Sequence, residues 1–404
     1  MISHTAKDNK SLEEPIMRIG LGKTTRRAYG FDEIALVPGD CTLDLELCDI
    51  SYQLGKFDFA MPIIASAMDS VVDPKVAGTL GKLGGLGVLN LQGIQTRYED
   101  LDEIYEKIAS CDNTSFVQVM QELYKAPIQD KLIAKRIEAI KAQGVVTAVS
   151  VTPNVAEKYG PVARQAGCDI LVIQSTVTGI EHRNVKGSPS LDLIKLCKTI
   201  GIPVLVGNCV TYKTALELLE TGIAGLLVGI GPGAACTSRS VLGIGLPMAT
   251  AIADCAHART TYMQSNGGGH APAIIADGGM AVGGDICKAI ACGADAVMIG
   301  SPFAKATEAP GRGYHWGMAT PSPVLPRGTR IRVGTTVSLA QIMNGPASAD
   351  DGTQNLTGAL KTSMATLGAA NLAEMQQVEV VIAPSILSEG KVYQNAQQLG
   401  MGRK

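Results

Sequence analysis

Several things are missing from this 404-residue sequence, and each absence removes a class of function. Neither sign of charge is in surplus: 35 Lys and Arg stand against 37 Asp and Glu, a formal net charge of −2. No global field draws the chain to nucleic acid or to an anionic membrane surface, so a phosphate on any substrate must be met by local geometry. The strongly apolar stretches, such as 224–230, are strand-length, far short of the roughly 20 residues a membrane helix needs. Residues 1–10 are polar and hold no apolar signal core, and the cytoplasm is the expected location. None of the ten cysteines forms a CxxC pair. Their even number is compatible with disulfides, but a large cytosolic α/β protein keeps its thiols reduced, and most are expected to be small buried hydrophobes. His4, His182, His257, His270 and His315 have no metal-ligand spacing, so no zinc site is read. No linker or low-complexity segment divides the chain, although residues 265–272 read as a Gly-rich surface turn.

What is present is one repeated unit. A short apolar, β-branched run ends in a small or polar residue, and a helix-like stretch follows. The runs are 62–68, 85–89, 146–151, 170–173, 203–206, 225–228, 273–276 and 296–299. They are continuous rather than alternating, as strands buried on both faces are. Amphipathic stretches lie between them at 73–82, 130–142, 155–165, 191–200, 211–221 and 284–291. About eight alternations of strand and helix predict an α/β fold, a single (β/α)8 barrel; a doubly wound open sheet is the alternative. The run 116–120 is an extra strand candidate. Residues 309–335, rich in Pro and Gly, read as a long irregular loop after the last strand, and loops of that length in compact domains usually work. The expected division is an N-terminal arm (1–27), the barrel (28–384) and a C-terminal tail (385–404).

Barrel active sites are built from the loops at the C-terminal strand ends. Here those ends carry Ser66-Ala67-Met68-Asp69 (strand 1), Gln174-Ser175-Thr176 (strand 4), Gly207-Asn208-Cys209 (strand 5), Asp277-Gly278-Gly279 (strand 7) and Gly300-Ser301 (strand 8). Glycines after strands 7 and 8 allow backbone N–H groups close to a phosphate, where barrels often bind one, and Asp277 can accept hydrogen bonds from ribose hydroxyls. The plain alternative is that the glycines only turn the chain. After strand 6 comes the most informative loop, 229–239, in which three glycines precede Cys236 and then Thr237, Ser238 and Arg239. A thiolate is the reactive form of cysteine, and a mobile, polar, cationic setting favours it. Cys236 is therefore the candidate nucleophile, with Cys209 and Cys292 as rivals. Backbone carbonyls of the same loop can ligate a monovalent cation.

These motifs, together with GDICKAIACGADAVMIGSPFA at 284–304 and PIIASAMDSV at 62–71, resemble the IMP dehydrogenase/GMP reductase family over roughly residues 28–384. The resemblance implies that Cys236 attacks C2 of a purine nucleotide, that hydride passes to or from a nicotinamide cofactor, and that a covalent adduct forms. It also implies that Asp277, Gly279, Gly300 and Ser301 hold the ribose phosphate, with Tyr314 reaching the phosphate. Ser66 and Met68 would line the base and sugar pocket, and Gly317 and Met318 would present backbone groups to the base. Gln174, Ser175 and Asn208 would face the nicotinamide. Carbonyls of Gly231, Gly233 and Cys236 would hold potassium, and the assembly would be a homotetramer.

Three places resemble the dehydrogenase more than the reductase: the serine of Ser66-Ala67-Met68-Asp69, the run Glu308-Ala309-Pro310-Gly311, and Leu89-Asn90-Leu91, where reductases carry a His-Lys pair. The expected activity is NAD-dependent oxidation of IMP to XMP in guanine nucleotide biosynthesis. The alternatives are GMP reductase, using NADPH, and a catalytically silent purine-nucleotide sensor. The sequence also departs from the pattern. About 55 residues separate strands 2 and 3, too few for the regulatory CBS (Bateman) pair, so none is expected. Ala234 replaces a phosphate-loop serine, Ser238 a threonine, and Gln174 a cofactor-facing aspartate. The flap is only eight residues long (319–326), lacks the Arg-Tyr pair that activates the hydrolytic water, and ends in Arg327 instead of Glu or Gln. One of Arg327, Arg330 or Arg332 is expected to take over that role; the alternative is that they pair with surface anions.

Overall fold

A computed structural model of the protein describes residues 17–183, 191–267, 269 and 271–402. His4, His270, residues 1–16 of the N-terminal arm and the last two tail residues lie outside the described residues. Eight parallel strands close into a barrel: β1 (Ile63–Ala65), β2 (Leu86–Asn90), β3 (Ala148–Val151), β4 (Ile170–Gln174), β5 (Val204–Cys209), β6 (Gly225–Val228), β7 (Ala273–Asp277) and β8 (Ala296–Ile299). Each pairs with the next, and β8 returns to β1 through Val297–Ile63, Met298–Ile64 and Ile299–Ala65. This is the (β/α)8 barrel expected, not the open sheet. Nearly every strand residue is buried, because one face fills the barrel and the other packs on the helices, which is why the strands read as unbroken apolar runs.

Several outer helices begin where the sequence supplies caps, at Asp73, Asp192 and Thr211. Helix α1 (Pro74–Lys82) starts with Asp73 accepting from Val76 N at 2.7 Å and has proline in its first turn. Two segments correct the sequence reading. The run 116–120 is no strand: it lies in α3 (Phe116–Leu123), which follows α2 (Asp102–Ser110). Phe116, Met120 and Leu123 recur at helical spacing and pack, with Ile94, Tyr105, Ile108 and Trp316, into a second core apart from the barrel core. The stretch 309–335 is not wholly irregular, since Tyr314–Trp316 pairs antiparallel with Arg330–Arg332.

The remaining pieces close the base and flank. The hairpin of Tyr52–Leu54 and Phe57–Phe59 stacks Tyr52 on Phe59 at 5.2 Å and turns at Gly55 (φ +60°) against Pro203, just before β5. Residues Ile34–Leu36 pair with Val380–Ile382, joining segments far apart in sequence. Among the described residues, no helix is long and apolar enough to cross a membrane. All ten cysteines are free thiols.

Candidate active site

The C-terminal strand ends surround a cavity of about 910 Å³. Its shape follows from the backbone at β6 and β7. Gly229, at φ +147°, lies so close to the Asp277 carbonyl that any side chain there would collide with it. Gly278 and Gly279 follow at φ +81° and +77°, and a Cβ on Gly279 would press on Pro232 at 3.0 Å. Only glycine adopts such consecutive left-handed turns freely, so the two loops interlock with backbone facing the cavity.

The expected residues gather by strand. Ser66 and Met68 line the cavity after β1, Gln174 and Ser175 after β4, and Asn208 in β5. Gly231, Gly233, Cys236 and Ser238 line it after β6, Asp277 and Gly279 at β7, and Gly300 and Ser301 after β8. Gly317, Met318 and Arg327 come from the post-barrel segment. Several are fixed by one another. Asn208 donates to Asp277 Oδ2 at 2.7 Å, and Asn208 N donates to the Ser175 carbonyl at 3.1 Å. Ser150 Oγ donates to Gln174 Oε1 at 3.3 Å. Burial pushes the Asp277 carboxyl up to about 6, against the opposing pull of the Asn208 bond.

Cys236 is half-buried and held from three sides. Its N–H donates to the Gly233 carbonyl at 3.0 Å, Ser238 N–H points to its Sγ at 3.5 Å, and its thiol lies 4.0 Å from the Arg327 carbonyl. Thr329 N donates to the Ala235 carbonyl at 2.9 Å, and Gly328 forms a β-bridge with Cys236. Arg239 closes the loop by donating to Ile230 O (3.1 Å) and Leu246 O (2.9 Å). The rival thiols are elsewhere. Cys209 is buried 4.0 Å from Cys255, and burial pushes Cys292 up to about 12.

Three expected residues, Arg330, Tyr314 and Arg332, are not brought to the cavity. Arg330 is buried with its guanidinium on the carbonyls of Ile108, Ala109 and Cys111 and on Asn113 Oδ1, stacked over Phe116 and Tyr314. A guanidinium so engaged has no free face for water, which corrects its expected catalytic role. Tyr314 is held under Arg330 at 4.4 Å and does not line the cavity. The neighbouring side chain does: His315 lines the cavity beside Gly300 and accepts or donates with Ser70 Oγ at 3.1 Å. Its pKa is lowered to about 4 by burial, so it is neutral at physiological pH. Arg332 is exposed outside the cavity. Of the three arginines only Arg327 faces the cavity, with Nη1 3.0 Å from Thr176 Oγ1.

The sequence reading missed the wall formed by β2, β3 and the segment between them. Asn90, Gln92, Ser150, Thr152, Arg97 and Tyr124 all line the cavity. Gln92 Oε1 accepts from Thr152 N at 2.6 Å, and Asn90 Nδ2 lies 3.6 Å from Met318 Sδ. Beneath them Asp69 is fully buried, accepting from Tyr124 Oη and from Ile94 N at 3.0 Å; burial raises its pKa despite those bonds. Gln92 and Thr152 follow the strand-end rule and were within its reach. Arg97 and Tyr124 carry no sequence signal, because only the fold of the 92–129 segment brings them to the rim.

Known proteins share this design. Residues 28–319 match the model of the IMP dehydrogenase / GMP reductase domain. An uncharacterised oxidoreductase of Mycobacterium leprae is 39% identical over 376 residues, covering 91% of this chain and all of that protein. The inosine-5'-monophosphate dehydrogenase of Borreliella burgdorferi is 32% identical over 308 residues, 71% of this chain and 72% of that enzyme. The crystal structure of an IMP dehydrogenase/GMP reductase-like protein from Corynebacterium glutamicum superposes with a TM-score of 0.86 at 36% identity, covering 91% of this chain and 97% of that one. With the closed barrel, the cysteine loop after β6 and the glycine ends of β7 and β8 on one face, this chain is an oxidoreductase of the IMP dehydrogenase/GMP reductase family.

Proposed function

We propose that the protein is an NAD-dependent IMP dehydrogenase acting through a covalent Cys236 adduct. The observation that carries this reading over a reductase is the end of β2. A reductase must hand a proton to departing ammonia, and the group this strand offers the cavity is the neutral amide of Asn90, set between Asp69 and Met318. In the proposed reaction, Asp277 accepts from the ribose hydroxyls, while Gly279, Gly300, Ser301 and neutral His315 receive the phosphate. Ser66 and Met68 flank the sugar and base, and Gly317 and Met318 meet the base edge. The Cys236 thiolate bonds to C2, and the C2–H bond breaks as hydride leaves. Bound NAD supplies the hydride acceptor, with Gln174, Ser175 and Asn208 around it; the cavity is large enough for nucleotide and nicotinamide together. Water then adds at C2, one proton is released, and the thiolate departs, giving XMP. Arg327 directs that water, since it is the one flap-end arginine facing the cavity.

Potassium fits the hard carbonyl donors of Gly231, Gly233 and Cys236. The Gly233 oxygen already accepts from Cys236 N, leaving a lone pair for a cation. A cytoplasmic homotetramer without a CBS pair completes the proposal, with residues 28–384 as its catalytic body. Absorbance at 340 nm tests it: IMP plus NAD in potassium buffer gives a rise that Cys236→Ala abolishes. A fall with GMP plus NADPH alone makes the enzyme a reductase, and silence in both with IMP still bound makes it a nucleotide sensor.

A further inference from the structure

The loop that carries Cys236 is poorly suited to hold a thiol still. Gly229, Gly231 and Gly233 precede it, and glycine gives the backbone its greatest freedom. Its support comes from the stretch 327–330, which bridges to Cys236 at Gly328 and donates from Thr329 N to the Ala235 carbonyl at 2.9 Å. That stretch is a single bridge leading into the short strand Arg330–Arg332, and it in turn needs an anchor.

Arg330 is that anchor. It is 8% exposed, and among the described residues its guanidinium is met by carbonyl and amide oxygens instead of a carboxylate. Its Nη1 donates to the carbonyls of Ile108 and Ala109 in the last turn of α2, and its Nη2 to Cys111 O at 2.7 Å and Asn113 Oδ1 at 3.1 Å. Carbonyls at a helix C-terminus are the partial negative charge a cation favours. The guanidinium lies over the rings of Phe116 and Tyr314, 5.1 and 4.4 Å from their centres. Such a planar fork cannot be replaced by an ammonium. The partners on α2 and α3 are held by the second core they form with Trp316. Gln121 of α3 also donates to the Ser322 carbonyl of the flap at 3.0 Å.

We infer that α2 and α3, gripping Arg330, form an internal brace that positions the Cys236 loop, and that Arg330 is a positioning residue of the reaction. The sense of this role in catalysis rests on Cys236 being the nucleophile. The brace itself is a matter of geometry and has a readout that needs no substrate.

The test compares wild type, Arg330→Lys and Asn113→Ala in the intact protein. Iodoacetamide alkylation is followed peptide by peptide, with exposed Cys41 as the reference for intrinsic reactivity and buried Cys168 and Cys255 as reporters of general loosening. Releasing the brace uncovers a thiol now shielded by residues 327–328, so alkylation of Cys236 relative to Cys41 rises about tenfold in Arg330→Lys and about threefold in Asn113→Ala, while Cys168 and Cys255 stay protected. Turnover moves the other way: kcat falls by about tenfold or more, with KM for the nucleotide little changed, because the substrate contacts remain and only the attack geometry is lost. Unchanged Cys236 alkylation in both variants overturns the inference, and so does a parallel rise at Cys168 and Cys255. If Arg330→Lys does not fold, Asn113→Ala decides by the same criterion. If wild type turns over neither nucleotide pair, the proposed function falls while the alkylation contrast still decides the brace.

Discussion

The two hydrophobic cores of this protein are built on opposite principles. The barrel core is made of strands whose neighbours in sequence are neighbours in space, each almost wholly buried and each pinned by parallel pairing. The second core draws Ile94, Tyr105, Phe116 and Met120 from one segment and Trp316 from another some two hundred residues later. The first builds a rigid frame and presents strand ends. The second builds nothing catalytic itself but fixes the segment that leans on the nucleophile loop. Chemistry thus depends on both, and in different ways: the barrel sets where groups point, the small core sets whether one loop stays put.

That contrast can be broken or sharpened by experiment. The largest effect belongs to the frame's own chemistry: Cys236→Ala lowers turnover by at least about 1,000-fold with nucleotide binding retained, read by 340 nm absorbance and by calorimetric titration with IMP. Next comes Arg327→Ala, which slows hydrolysis of the adduct by about 100-fold but leaves the hydride-transfer burst intact in stopped-flow absorbance; a lost burst would remove Arg327 from the water step. A pair of core truncations addresses the comparison directly. Leu227→Ala in β6 costs about 2–5 kcal/mol in global unfolding and shifts the melting curve. Trp316→Ala, of similar local cost, lowers turnover before the barrel melts, because the small core opens as its own unit. Equal loss of turnover and melting temperature in both variants would erase the distinction.

The smallest effect concerns pH. Burial raises Asp277 to about 6, so it is ionised at pH 7 and takes up a proton as pH falls through 6. Its acceptor capacity for ribose is then lost, and kcat/KM for the nucleotide drops several-fold between pH 7 and 5; Asp277→Asn flattens that limb. The linkage has the opposite sign. Between the unfolded value of 3.8 and about 6, the folded state binds more protons, so stability falls as pH rises through this window. Asp277→Asn should therefore be the more stable protein at pH 7 and the poorer enzyme.

Most of the frame was legible in the sequence, and the reason is physical. Strands buried on both faces must be apolar without interruption, so 170–173 or 225–228 could hardly be read otherwise. Strand-end chemistry followed from the barrel, which is how Cys236, Asp277 and Asn208 were found. The run 116–120 misled because Val117 and Val119 imitate alternation, whereas what decides it is Phe116, Met120 and Leu123 meeting a tryptophan far along the chain. The helix Met248–Ser265 was invisible for another reason: its small residues Ala249, Ala251, Ala253 and Ala256 blur the apolar face. Arg330 reads as a charged loop residue, and nothing local announces that helix-end carbonyls will enclose it. Gly317 could be matched by motif, but which of Tyr314 and His315 faces inward depends on the strand pairing of 314–316 with 330–332.

The pairing of Ile34–Leu36 with Val380–Ile382 has a consequence in time. When the first of these segments leaves the ribosome, its partner is 344 residues away (380 − 36). At roughly 5–20 residues per second, the early strand spends on the order of tens of seconds as an open edge. The barrel can wind up strand by strand during that interval, but this seam is sewn only after residues 380–382 have been made.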